Sequence, residues 1–302
     1  MNIEQRNLSE DPALGKQALA VARAAEAADG VAPLSEQFLL GISDPRVGHR
    51  HIVVFDGDEM VAVAGLEGDT AELVVHPERR RSGVGTMLYR RLRLAHRGLQ
   101  VWAHGNLPGA RALAAQEQLN TVRELLVFQI EEPALRDAAQ FSVPEGFQVA
   151  DLHDSREQFG TDKVDRDWLQ ANNDAFAWHP EQGGWDLERL ARAQEAEWFS
   201  DRDVLFLWDT HGERAELAGF HWTKWHTEET PAFGEVYVVG LAAAYRGRGL
   251  GGPILQLGLE HLQRRGAEKV ILYVEADNEA AVKVYRNAGF TVSEQHTVYA
   301  PS

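Results

Sequence analysis

Gly234-Glu235-Val236-Tyr237-Val238-Val239-Gly240-Leu241, an Ala-rich connector, then Arg246-Gly247-Arg248-Gly249-Leu250-Gly251-Gly252: this run decides the fold. Its first part alternates and is rich in β-branched and aromatic residues, so it predicts a strand. The second part is glycine-rich and basic. It opens into a helical pattern at Leu250, Ile254, Leu255, Leu259 and Leu262, with Arg264 and Arg265 in the last turn and Gly266 as the stop. A strand, a Gly/Arg loop and a helix together can hold a phosphate. Glycines let several N–H groups converge on one anion, and the helix start adds partial positive charge. The spacing fits neither Gly-x-Gly-x-x-Gly nor a P-loop, which needs Gly-Lys-Ser/Thr. An ordinary tight turn before a helix is the bland alternative.

The chain does this twice. Glu72-Leu73-Val74-Val75-His76-Pro77 is again a strand and exit, and Arg80-Arg81-Ser82-Gly83-Val84-Gly85 repeats Arg-x-x-Gly-x-Gly. Met87, Leu88, Leu92 and Ala95 then start another helix. Superposing Arg80 on Arg246 needs a shift of 246 − 80 = 166 residues, too long for a solenoid repeat and suited to two copies of one domain.

Bulk properties bound the answer. A chain of 302 residues holds about two domains. Hydrophobic content of 44% with 25% charged residues predicts a soluble globular protein. The net charge of −16 argues against nucleic acid as a partner. No signal peptide and no bilayer-length apolar run are seen, so no membrane partner and a cytoplasmic location are expected. There is no cysteine, hence no disulfide and no thiolate ligand or nucleophile. The histidines lack metal-ligand spacing; no metal is expected, and they read as structural or surface residues. A monomer is expected.

Strands and helices mix in each half, so the class is α/β, or α+β with a mixed sheet. Helices are expected at 14–28, after a Ser35 cap, at 110–118, 168–176, from about 186 to Trp198, and at 278–286. Strands are expected at 51–55, 60–65, 72–75, 99–103, 124–130, 147–152, 204–208, 218–225, 272–275 and 297–300. The domains are placed at 1–139 and 147–302, with a Pro/Gly/charge linker at 140–146. Gly240 inside a strand suggests a bulge or a close backbone approach.

Near the end comes Asn278-Glu279-Ala280-Ala281-Val282-Lys283-Val284-Tyr285-Arg286-Asn287-Ala288-Gly289-Phe290. This is very close to the Asn-x-x-Ala-x-x-x-Tyr-x-x-x-Gly-Phe ending of the GCN5-related N-acetyltransferases (GNAT), whose acetyl-CoA pyrophosphate loop the two Arg-x-x-Gly-x-Gly runs also resemble. The resemblance implies tandem GNAT domains and acetyl-CoA as co-substrate. It implies cofactor contacts from Val239, Gly240 and Leu241, from Arg246, Gly247, Arg248, Gly249, Leu250, Gly251 and Gly252, and from Asn278, Glu279, Ala280, Ala281, Val282 and Lys283. In the first half the matching residues are Leu73, Val74 and Val75 with Arg81, Ser82, Gly83, Val84, Gly85 and Thr86.

A finer resemblance covers nearly the whole chain. It rests on Asp29-Gly30-Val31-Ala32-Pro33, Glu72 to Pro77, Trp102-Ala103-His104-Gly105, His179-Pro180-Glu181-Gln182-Gly183-Gly184-Trp185, Phe220-His221-Trp222-Thr223-Lys224 and Gly234 to Val238. These resemble the tandem branch that acetylates the cysteinyl amine of a cysteinyl-glucosaminyl-inositol conjugate, desacetylmycothiol. That pattern puts Glu36, Glu181, Lys224, Glu235 and Tyr273 against this small-molecule acceptor, and the first-half Glu36 implies a shared cleft.

An ammonium cannot attack a thioester, so a base must take a proton. Glu235 is the candidate, against a plain strand glutamate, and the resemblance gives it that role. Tyr285 would protonate the departing thiolate, against a core aromatic with a satisfied hydroxyl. Counting back 166 residues puts Asp69 opposite Glu235, and aligning Trp102 with Tyr273 puts Ala114 opposite Tyr285. The first half therefore reads as a binding or structural copy. An acetyltransferase for another amine and a non-catalytic acyl-CoA sensor stay open at this point.

Overall fold

Residues 1–177, 182–227 and 230–301 are described by the computed structural model. They fall into two units: Met1–Leu126 with Glu275–Asp277 and Glu294–Ser302, and Val127–Val274 with Asn278–Ser293. In chain order the first unit holds β1 (Asn2–Arg6), α1 (Pro12–Asp29), α2 (Glu36–Ser43), β2 (Arg50–Asp56), β3 (Glu59–Glu67), β4 (Thr70–Val75), α3 (Val84–Ala95), β5 (Gln100–Ala103), α4 (Pro108–Gln116) and the front of β6 (Leu119–Glu131). The second holds the rear of β6, α5 (Ala134–Ala138), β7 (Phe147–Asp151), α6 (Leu152–Phe159), α7 (Thr161–Ala175), α8 (Leu187–Ala193), β8 (Val204–Asp209), β9 (Glu216–His226) and β10 (Phe233–Leu241). It continues with α9 (Gly251–Arg264), most of β11 (Lys269–Glu275), α10 (Glu279–Asn287) and the start of β12 (Thr291–Pro301), whose end belongs to the first unit. The stretch read as a linker, 140–146, lies in the second unit between α5 and β7.

The same strand order recurs. In the first unit β1-β2-β3-β4 run antiparallel and β5 joins β4 in parallel. In the second, β7-β8-β9-β10 run antiparallel and β11 joins β10 in parallel. A parallel joint needs a crossover, and α3 and α9 supply it. Neighbouring strand residues divide between the two faces. Val53, Val63 and Val74 pack under α1 and α2, whereas Val54, Ala62 and Ala64 pack under α3. In the second unit Phe206, Trp208, Phe220 and Trp222 meet Trp168 of α7, while Leu205, Leu207 and Ala218 meet Ile254 and Leu257 of α9. Helices thus cover both faces, and strands such as β3 are buried on both sides.

Several elements escape the sequence reading. β1 carries one apolar residue, Ile3, and its strand state comes from pairing Asn2–Arg6 against Phe55–His51. Helices α5 and α6 are short and polar, with one or two buried residues each. α7 starts at Thr161, seven residues before the apolar Trp168 that marks it in sequence. α8 ends at Ala193, short of Trp198. β12 runs from Thr291 because ladder pairing carries polar residues that no alternation reveals.

Candidate active site

The two Gly/Arg loops have one geometry. In the second unit a 3-10 turn, Ala243–Tyr245, leads from β10 into the loop, and Arg246 Nε donates to Leu241 O at 3.4 Å. In the first, the turn Pro77–Arg79 leads from β4, and Arg80 Nε donates to Val75 O at 3.2 Å. Positive φ falls at matched places: Gly247 (73°) with Arg81 (63°), and Gly249 (80°) with Gly83 (83°). Such φ values suit glycine, and Arg81 adopts one without it. Each loop ends on a helix start, Gly251 or Val84, whose first N–H groups have no partner within the helix. The Arg80 guanidinium also anchors Asp29, at the end of α1, by two 2.7 Å bonds. An open cleft of about 550 Å³ beside Gly83 and Thr86 is lined by Ile3, Met87, Arg90 and Arg91.

Strand β10 carries the candidate base and the residues next to the loop. Its parallel ladder with β11 pairs Gly234, Glu235 and Val236 with Val270, Ile271 and Leu272. Among the described residues it goes no further, although β10 continues to Leu241. On the other side Ala242 N–H donates to Ala218 O at 3.0 Å. By antiparallel alternation the N–H of Gly240 also faces β9, and those of Val239 and Leu241 face away from it, into the gap. The register against β9 slips between Val236 and Val238, so the bulge sits at Tyr237 and not at Gly240. Gly240 is instead a close approach. A Cβ there would lie 2.8 Å from Ala175 Cβ of α7 and 3.0 Å from Phe220.

Glu235 is the middle residue of that three-pair ladder, 6% exposed. Lys224, also buried, is its cross-strand partner on β9, and the Lys224 ammonium lies 5.1 Å over the Trp198 ring. His226 Nε2 is 2.6 Å from Glu235 Oε2. The sequence reading leaves His226 among the structural or surface histidines. Its signal is positional: it lies on β9 two residues from Lys224, and that offset shows only once the register is known. Tyr273, half exposed, directly follows the last paired residue of β11. Glu36 is exposed at the first position of α2, in the first unit. Glu181 lies outside the described residues, as do His179 and Pro180 of its motif.

Tyr285 is buried on α10 against the rings of Phe128 and Phe290, and burial pushes its phenol up to about 12. Asn278 caps α10, its side chain accepting from Ala281 N–H at 3.2 Å, so its first role is local; Glu279–Lys283 form the opening turns. The bulge at Tyr237 also changes the match between halves. By pairing onto the parallel strand, Thr70 (with Gln100) stands where Glu235 (with Ile271) stands, and Asp69 lies in the turn before. Ala114 is a buried residue of α4.

Motifs that carry the finer resemblance have structural roles as well. Gln182 exchanges two 2.9 Å bonds with Asn172, and Trp185 exchanges bonds of 2.8 and 2.9 Å with Asn173, tying 182–185 to α7. Phe220 and Trp222 are core, and His221 Nδ1 meets Ile254 O at 2.9 Å. Glu72 accepts from Ser35 N–H at 2.7 Å, and its other oxygen is 3.0 Å from His104 Nε2.

The sequence profile of the Acetyltransferase (GNAT) family matches residues 167–290. Among solved structures the chain resembles a GCN5-related N-acetyltransferase from Sphaerobacter thermophilus at TM-score 0.70, with 22% identity, over 99% of this chain and 95% of that one. It also resembles a tandem GNAT protein from the clavulanic acid biosynthesis pathway at TM-score 0.64, with 19% identity, over 99% and 98%. Fold and loops define a tandem GNAT acetyltransferase, a class that uses acetyl-CoA as co-substrate. The chain is 53% identical to the mycothiol acetyltransferase of Corynebacterium aurimucosum, over 100% of both chains, and 47% identical to that of Corynebacterium glutamicum, over 98% and 97%. It belongs to the mycothiol acetyltransferase family. Among the described residues no helix is long and apolar enough to cross a membrane.

Proposed function

We propose that the chain transfers the acetyl group of acetyl-CoA to the cysteinyl amine of desacetylmycothiol, in the cytoplasm, giving mycothiol and CoA. The observation that carries this is β10 itself: a buried carboxylate, then outward N–H groups at Val239 and Leu241, then the anion loop. Pantetheine amides can pair with the strand where β11 leaves it, and the pyrophosphate suits the N–H groups of 247–252. Glu235 takes the amine proton, and the uncharged nitrogen attacks the thioester carbon. An N–H aimed at the carbonyl oxygen stabilises its developing charge. As the carbon–sulfur bond breaks, Tyr285 supplies the proton to the CoA sulfur, and the second proton lost by the attacking nitrogen restores the phenol; the raised pKa of Tyr285 keeps its proton available at neutral pH. Lys224 and Tyr273 would bind the polyhydroxylated acceptor, as would Glu181.

The first unit is proposed to hold acetyl-CoA without reacting it. Its loop and cleft support binding, while Thr70 and Ala114 offer neither base nor acid. The proposed domains are 1–139 and 147–302.

The test is Glu235→Gln with acetyl-CoA and a panel of amines that includes desacetylmycothiol. Turnover should fall on the order of 10²–10⁴-fold, the usual worth of a positioned base, with acetyl-CoA affinity retained. A mutant that keeps most of its rate at neutral pH removes Glu235 from this role, and preference for another amine removes the acceptor.

A further inference from the structure

The Glu235 carboxylate is taken out of water, and a buried charge needs a hydrogen-bond partner to persist. The partner is His226, 2.6 Å away. With an ionised carboxylate as acceptor, Nε2 must carry the hydrogen, which sets the tautomer. The ring is itself held: it stacks on Phe233 at 4.4 Å between centroids and 20° between planes. Register explains the meeting. Phe233 pairs with His226 and Glu235 pairs with Lys224, so His226 and Glu235 are diagonal neighbours on one face of the β9–β10 ladder. Among the described residues the charged groups around the pair are Lys224, across the ladder, and Lys269 of β11, whose ammonium lies 5.1 Å over Phe233.

We propose that His226 is a positioning residue for the base. Its Nε2–H binds Oε2 of Glu235, which orients the carboxylate and leaves Oε1 to receive the amine proton. The proton moves from the acceptor nitrogen to Glu235, and His226 keeps its own. This inference rests on the assignment of Glu235 as base.

The experiment compares His226→Ala, His226→Gln, Glu235→Gln and the double variant His226→Ala/Glu235→Gln, by release of CoA thiol from acetyl-CoA with desacetylmycothiol as acceptor. His226→Ala should lower kcat about tenfold to a hundredfold, the range of a hydrogen bond to a charged group, with KM for acetyl-CoA unchanged. His226→Gln, which keeps a donor, should recover most of the rate. The double variant should be no slower than Glu235→Gln alone, because the two residues act as one unit. A wild-type rate in His226→Ala, with Glu235→Gln inactive, overturns this inference and leaves the base standing. An active Glu235→Gln overturns the base, and the inference with it. Should the Ala variant fail to fold, His226→Gln and His226→Asn carry the test. Gln reaches the carboxylate and Asn falls short, so equal rates in those two overturn the proposal.

Discussion

Burial against Phe128 and Phe290 gives the Tyr285 hydroxyl its chemistry, since a phenoxide is costly there and the proton stays on until about pH 12. Tyr285→Phe removes that proton and little else. Single-turnover rates should fall at least tenfold while acetyl-CoA affinity, read by calorimetry, stays within a factor of about two. The wild-type enzyme should show no alkaline loss from this group below about pH 10, because the phenol is still protonated there. Equal single-turnover rates for mutant and wild type would return Tyr285 to a packing role. The roles proposed for Tyr285 and Glu235 rest on motif position, which a sequence displays. His226 was not legible there, because nothing local to residue 226 distinguishes it from the histidines that pack or cap elsewhere.

Elements meet through pairs that no single element announces. On α9, Gly258 reads as an unhelpful residue in a helix interior, about 1 kcal/mol worse than alanine. Its place is explained by β9. A Cβ at 258 would lie 2.1 Å from the His221 ring, which is fully buried and held by Ile254 O. Burial keeps His221 neutral, its pKa lowered to about 4. Gly258→Ala should therefore destabilise by about 1–3 kcal/mol despite the better helix former, as overpacked sites do. The check is the urea midpoint at pH 7.5; a midpoint equal to or above that of the native protein would show that the ring can move aside. The bulge at Tyr237 belongs to this scale too. One extra residue in β10 shifts the counterpart of Glu235 from Asp69 to Thr70, an error of the kind that counting along a sequence cannot detect.

For the whole molecule, the repeated strand order and the matched loop φ values predict two acetyl-CoA sites of unequal purpose. Calorimetric titration of the native protein should give two equivalents. Gly83→Glu should leave one, since the new carboxylate sits where phosphate would and the φ of 83° is strained for any side chain. Gly249→Glu should also leave one, and in that case turnover is lost as well. A single equivalent in the native protein would mean that the first loop is a fold remnant, with Arg80 serving only to anchor Asp29.

What the sequence by itself determined is whatever depends on local chemistry at set spacing. The strand–loop–helix runs at 72–95 and 234–264, the Ser35 cap and the motif ending at Phe290 are of this kind, because turns, caps and N–H cradles are built by consecutive residues. Tertiary structure decided the rest. It made strands of the polar runs at 2–6 and 291–296, where ladder pairing overrides weak alternation. It placed the bulge at Tyr237, ended the β10–β11 ladder at Val236, and brought His226 to Glu235. Each of these depends on register between strands remote in sequence or offset by a hairpin, and a slip of one residue would turn the same side chains to the other face.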